Sequence, residues 1–151
     1  MALRCEIATQ DKLLFEGQVD MVVAPGSEGE MGILPDHAPL LTTLGLGVLR
    51  VRQGAVEHAF TIAGGFMEVQ PDVVTVLADV GEDVDEIDLA RAQEARARAE
   101  AMLKSVTPAD ADRYQALEAA LRRSTLRLEA ARRYRRAGRA GLRPPRPPEE
   151  S

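Results

Sequence analysis

Leu3-Arg4-Cys5-Glu6-Ile7 alternates apolar and polar side chains, the period of a strand with one face against a core. The β-rich run LLFEGQVDMVVAP (13–25) follows, with Gly17 placed for a bend. GVLRVRQGAVEHAFTIAGGFMEV (47–69) reads as a hairpin turning near Gln53-Gly54, with a second turn at Gly64-Gly65. Pro71 opens a further Val-rich strand, DVVTVLADV (72–80). Short strands separated by turn signals, with no helical pattern between them, predict an antiparallel β-sandwich or barrel over residues 1–84 rather than a parallel sheet.

Beyond residue 84 the period changes. Asp85 is placed to cap a helix, with Asp88 three residues on in the manner of a capping box. That helix runs to about Leu103, with Leu89, Ala92, Ala99 and Met102/Leu103 near one face. Thr107-Pro108-Ala109-Asp110 is a second start signal: a capping hydroxyl, proline at the first helical position and an acid in the first turn. Tyr114, Leu117, Leu121, Ser124, Leu128 and Ala131 then fall on one seam. The pair predicts a C-terminal antiparallel two-helix hairpin over residues 85–137, giving an α+β chain. Alanine lets helices approach closely but buries little area, so such a hairpin needs something to dock against. Residues 138–151, rich in Pro and Arg without apolar periodicity, are expected to be a disordered tail.

Charge divides the chain at the same place. Residues 1–88 carry 4 Lys/Arg against 16 Asp/Glu, whereas residues 89–151 carry 15 against 8. Arg122, Arg123, Arg127, Arg132, Arg133, Arg135 and Arg136 crowd into 15 residues, with Glu129 the only acid among them. A basic segment of this kind seeks an acidic protein surface, a nucleotide, an anionic membrane or nucleic acid. The acidic first half and the 3% aromatic content, without Trp, argue against nucleic acid. No segment has the roughly 18 uninterrupted apolar residues that direct membrane insertion needs. Catalytic motifs are missing too. GLGVLR (45–50) puts Arg50 where a dinucleotide fingerprint needs its third glycine, and His37, His58 and Cys5 make no metal spacing. Loop PGSEGEMGILPDHAPLL (25–41) is left as the most distinctive segment, with Met31, Ile33 and Leu34 divided between core and an exposed ridge.

GEMGILPDHAPLL (29–41), GGFMEVQPDVVTVLAD (64–79) and IDLARA (87–92), in that order and spacing, closely resemble the epsilon subunit of F-type proton-translocating ATP synthases. The resemblance covers residue 3 to about residue 134 and implies a β-sandwich followed by a helical hairpin. It also implies a non-catalytic rotor subunit with no required cofactor, peripheral to the cytoplasmic face of the bacterial plasma membrane. Its partners would be the gamma subunit of the stalk, the ring of c subunits and, through an extended hairpin, the alpha/beta catalytic head. Glu30, Met31 and His37 would face stalk and ring, and the basic helix would inhibit hydrolysis.

IDLARA admits two readings. Some bacterial members bind ATP as a regulatory ligand through an I/L-D-x-x-R-A motif, here Ile87, Asp88, Arg91 and Ala92. By that resemblance Glu82, Asp88 and Arg91 would lie near the adenine, and Arg98, Arg123 and Arg127 would meet the phosphates. Alternatively, Asp88 only stabilises a helix N-terminus and pairs with Arg91. Two further readings are a stand-alone nucleotide-binding regulator and a nucleic-acid-binding module using the basic helix.

Overall fold

The computed structural model describes residues 2–107 and 109–139, with side chains given as far as Arg135. Seven strands come first: β1 (Leu3–Ala8), β2 (Leu13–Val19), β3 (Met21–Gly26), β4 (Gly29–Ile33), β5 (Leu40–Gln53), β6 (Val56–Val69) and β7 (Val73–Asp83). One 3-10 turn, Val84–Glu86, leads into α1 (Leu89–Ser105) and α2 (Ala111–Arg139). The strands form a single sheet in the order β2-β1-β7-β6-β5-β3-β4, and the α+β architecture is the one the change of period predicts.

The sheet doubles over into two layers. Strands β5 and β6, 14 residues each, are long enough to serve both. Although β2 and β5 are not neighbours in the sheet, their ends meet, with Gln53 Nε2 donating to Gln18 O at 2.8 Å. Phe15 and Phe60 lie edge to face across the gap, ring centres 6.0 Å apart. Between the layers lie Leu3, Ile7, Leu49, Phe60, Ile62 and Met67, none more than 1% exposed. Each such side chain contributes about 1.5–3 kcal/mol of burial. The alternation that signalled β1 is seen directly, with Leu3, Cys5 and Ile7 buried and Arg4 exposed.

The structure corrects the sequence reading at several points. Gly17 does not bend the chain but sits within β2 opposite Cys5. The turn comes at Asp20, whose carboxylate accepts from Gly54 N at 2.6 Å. Segment 25–41 is not all loop, because β4 pairs with β3 at the sheet edge. An edge ladder is satisfied from one side, so Gly29, Glu30 and Gly32 are tolerated there. Strand β5 begins at Leu40 rather than Gly47, and β7 continues to Asp83. Gly64-Gly65 do not turn the chain either. Strand β6 runs through them at φ +79° and +126°, with Gly65 still paired to Leu44 on one side and Ala78 on the other. Finally, β1 pairs with β7 in parallel, so the sheet is mixed rather than purely antiparallel.

The helices form the antiparallel hairpin. Ala92 near the start of α1 and Leu128 towards the end of α2 share one apolar cluster. Asp110 rather than Thr107 begins α2, its carboxylate accepting from Arg113 N at 3.4 Å. The Thr107 carbonyl instead closes the preceding turn on Asp110 N at 3.1 Å. Helix α2 reaches Arg139, two residues past the expected end at 137, and so takes in Gly138. Residues 140–151 of the expected Pro/Arg tail, and Pro108, lie outside the described residues.

Candidate functional site

The hairpin lies folded down on the sandwich. Leu128, Ala130 and Ala131 of α2 and Ala92 of α1, none above 2% exposed, pack with Ala59, Val84 and Ile87; Val48, Leu89 and Tyr134 flank them. The junction between β7 and α1 explains why the helix starts later than Asp85. Val84 and Ile87 both turn under the hairpin, one in and one just after a short 3-10 turn. Asp83 caps this turn, accepting from Asp85 N at 2.9 Å, and Asp88 caps α1, accepting from Arg91 N at 3.1 Å. Asp88 therefore engages the backbone of Arg91. It performs the capping role that one of the two readings of IDLARA assigns it.

Polar contacts ring the apolar seam. Arg127 of α2 grips Glu82 of β7 bidentately: Nε meets Oε1, and Nη2 reaches Oε2 at 3.2 Å. Arg135 donates from Nη2 to two carbonyls of the β7–α1 junction, Val84 O and Ile87 O, at 2.6 Å each. Arg50 of β5 reaches Glu30 at 3.3 Å and Glu57 at 3.9 Å, and its guanidinium stands 5.7 Å from the centre of the Tyr134 ring.

Beside the Glu82–Arg127 pair lies a small recess of about 30 Å³, open to solvent on one side. Its polar rim is Thr61, Glu82, Arg123 and Arg127, and its apolar wall includes Leu46, Ile62, Val80 and Leu126. The structure thus brings Glu82, Arg123 and Arg127 together. Ile87 and Ala92 are buried in the seam, and Arg91 and Arg98 are exposed on α1 and do not line the recess. Along the basic helix Arg122, Arg123, Arg132 and Arg133 face solvent, while Arg127 and Arg135 are engaged within the chain. The Arg136 side chain lies outside those described.

Along segment 25–41, Glu30 of β4 is exposed and held by Arg50, and Met31 of the same strand leans on the core. His37 Nδ1 lies 2.7 Å from Ala38 O. Ile33 is core at 1% exposure while Leu34 stands out at 56%, which divides the apolar residues of this loop into core and ridge. Sequence reasoning missed Arg50, Thr61 and Tyr134. Arg50 carried a signal, since it is one of only four cationic side chains in the acidic half.

The Asp83 carboxyl is pushed above its ordinary range, chiefly by burial and further by the charges of Asp85 and Glu86. The Asp85 N–H and His58 act the other way. A folded-state value raised in this way contributes stability at low pH that is lost as pH rises through it. Asn keeps the capping acceptor without the charge. Asp83→Asn should therefore raise the melting temperature near neutrality, and its advantage over the native chain should shrink steadily as pH falls. Melting curves across an acid-to-neutral series check this; a difference independent of pH would contradict it.

Comparison with known proteins agrees with the order of sandwich and hairpin. The family described as ATP synthase, Delta/Epsilon chain, beta-sandwich domain matches residues 2–84, and the long alpha-helix domain of the same chains matches residues 85–132. The ATP synthase epsilon chain of Dehalococcoides mccartyi is 46% identical over 140 residues, spanning 89% of this chain and 95% of that one. That of Herpetosiphon aurantiacus is 47% identical over 133 residues, spanning 87% and 96%. Among solved structures, a chain in the Euglena gracilis mitochondrial ATP synthase (OSCP/F1/c-ring) superposes with a TM-score of 0.62 at 25% identity, over 85% of this chain and 76% of that one. A chain of the Tetrahymena thermophila central stalk and c-ring shares the fold at 16% identity, with a TM-score of 0.54 over 87% of this chain and 97% of that one. With both domain signatures in order and relatives 46% identical along nearly their whole length, the chain belongs to the delta/epsilon family of ATP synthase subunits.

Proposed function

We propose that this chain is a non-catalytic central-stalk subunit that couples the catalytic head to the proton-driven ring of c subunits, and that its hairpin restrains ATP hydrolysis. The sandwich binds the gamma subunit and meets the ring through Glu30 and Met31 of β4 and His37 of the loop after it, a reading supported by the assembly in which the Euglena neighbour was solved. Attachment to the membrane is peripheral, through these partners, on the cytoplasmic face; no described helix is long and apolar enough to cross a membrane.

The observation that carries the regulatory reading is the composition of the docking seam. Four of its seven buried members are alanines (Ala59, Ala92, Ala130 and Ala131), so docking is weak enough to reverse. Released, the hairpin presents Arg122, Arg123, Arg127, Arg132, Arg133, Arg135 and Arg136 to an acidic surface of the catalytic head. ATP opposes release by binding only the docked form. Glu82 turns to the adenine amine, which frees Arg127 to join Arg123 and Arg98 on the phosphates, while Asp88 and Arg91 close the adenine end. A ligand confined to one state stabilises it by RT ln(1 + [L]/Kd).

Two measurements test this. Reconstituted head and stalk should hydrolyse ATP faster with a chain ending at residue 84 than with the full chain; equal rates reject inhibition by the hairpin. Calorimetry on the full chain should detect ATP binding that weakens at least about tenfold in the Arg98→Ala/Arg123→Ala variant, as expected on losing charge-assisted hydrogen bonds. Absence of native binding at millimolar ATP reduces IDLARA to a helix start.

A further inference from the structure

The last turns of α2 hold to the sandwich through contacts that involve no nucleotide. Arg135 is half-buried, and a single nitrogen of its guanidinium bridges the carbonyls of Val84 and Ile87 at 2.6 Å. Those carbonyls bracket the 3-10 turn that joins sandwich to hairpin. The arginine therefore ties the far end of α2 back to the peptide from which the hairpin would have to swing away. Next to it, the half-buried Tyr134 packs on the docking cluster and presents its ring to Arg50 of β5. Both residues lie beyond residue 132, where the match to the family's helical domain ends.

We propose that Arg135, assisted by Tyr134, is a latch that sets how much of the protein has its hairpin docked when no nucleotide is present. Arg135 acts here as a positioning residue. The reasons are geometric and electrostatic. Two carbonyls at a helical turn offer converging negative partial charge, and the two N–H groups of Arg135 Nη2 supply one donor to each. Hydrogen bonds from a charged donor to half-buried acceptors are among the stronger ones. The grip is also limited. Arg135 Nε is buried without a partner among the described residues, so the docked state carries a desolvation cost that release removes. The latch therefore biases the equilibrium without locking it. Nucleotide in the recess and Arg135 at the junction add their effects, because they act on different atoms of the same two-state element. This inference rests on the reading of the hairpin as a movable element, but not on ATP binding or on inhibition.

The test reads hairpin position directly in the full chain, without nucleotide. Spin labels are placed at exposed Glu68 on β6 and exposed Glu129 on α2. The native Cys5 thiol is fully buried and pushed up to about 12 by that burial, so it stays unlabelled. The native chain should give one dominant distance. Arg135→Gln should raise the population at longer distances by about tenfold, and Arg135→Lys by less, since an ammonium keeps the charge and has donors enough for both carbonyls. Arg132→Gln, which removes the same charge from an exposed position, should leave the distribution native. An Arg135→Gln distribution indistinguishable from that of Arg132→Gln overturns the latch. The melting temperature of the sandwich, measured alongside, should fall in Arg135→Gln by no more than the tenfold shift in docking accounts for, because docking is linked to folding; a larger fall would make the residue part of the sandwich's own stability and also overturn it. Loss of ATP binding or of hydrolysis inhibition leaves this readout untouched, so failure of the functional reading is distinguishable from failure of the latch.

Discussion

Replacing Gly65 by alanine should cost the sandwich about 3 kcal/mol or more, larger than most single substitutions. Two effects coincide there. The residue adopts φ +126°, in the region that L side chains rarely occupy. A methyl group built on it would also lie 2.2 Å from the Leu77 carbonyl oxygen, 2.8 Å from Ala78 Cα and 3.1 Å from Asp79 N. All three are backbone atoms of β7, fixed by the β6–β7 ladder on both sides of the contact, so no side-chain rotation relieves the clash. Gly54→Ala is the control. Its φ is +58° and nothing lies within 4 Å of the new methyl, so only the conformational term remains, about 1 kcal/mol. Urea unfolding of the two variants separates the terms; equal losses would show that the close approach to β7 can relax.

Leu128→Ala should release the hairpin while leaving the sandwich folded. Leu128 is 1% exposed and the largest fully buried side chain contributed by the hairpin. A buried leucine truncated to alanine typically loses about 2–5 kcal/mol. The rest of the seam consists largely of methyl groups and has little in reserve. The undocked population should therefore rise by about 30-fold or more, the factor corresponding to about 2 kcal/mol. Once the hairpin leaves, the remaining cost is no longer felt, so the loss in global stability should fall short of that for Leu49→Ala, which is fully buried between the two sheet layers. Proteolytic nicking in α2 together with urea unfolding of the sandwich reads both quantities. Protection of α2 equal to the native chain would show that polar contacts alone hold it down.

The sandwich and hairpin were legible because burial follows the periods directly: Leu3, Cys5 and Ile7 on alternate positions, Leu128 and Ala131 on one seam. Elements that depend on distant partners were not. A glycine pair signals positive φ, but a turn and a continuing strand both use it, and only the pairing and close approach of β7 at Gly65 decide for the strand. Strand β4 lacks an alternating pattern, because an edge strand with one neighbour can carry acids and glycines. Asp83, Asp85 and Asp88 were equally good caps by residue type, and the burial of Val84 and Ile87 selects Asp83 and Asp88. In the candidate site, helical spacing put Arg123 and Arg127 on one face, but nothing local pairs Arg127 with Glu82, 45 residues away. Arg50 and Tyr134 were missed for the same reason.

Arg127 and Arg135 carry a consequence for how the protein responds to its ionic surroundings. In the docked hairpin one of these cations pairs with a carboxylate and the other donates to two peptide carbonyls of the same chain. An acidic partner engaging the released helix would draw on the same guanidinium groups. Added salt screens the contacts in both arrangements, and the more exposed set is screened more. Raising ionic strength should therefore slow capture of the released helix by an acidic surface while moving the internal balance much less. The docked contacts are partly buried, so a change in cellular electrolyte acts on the encounter and leaves the fold largely alone.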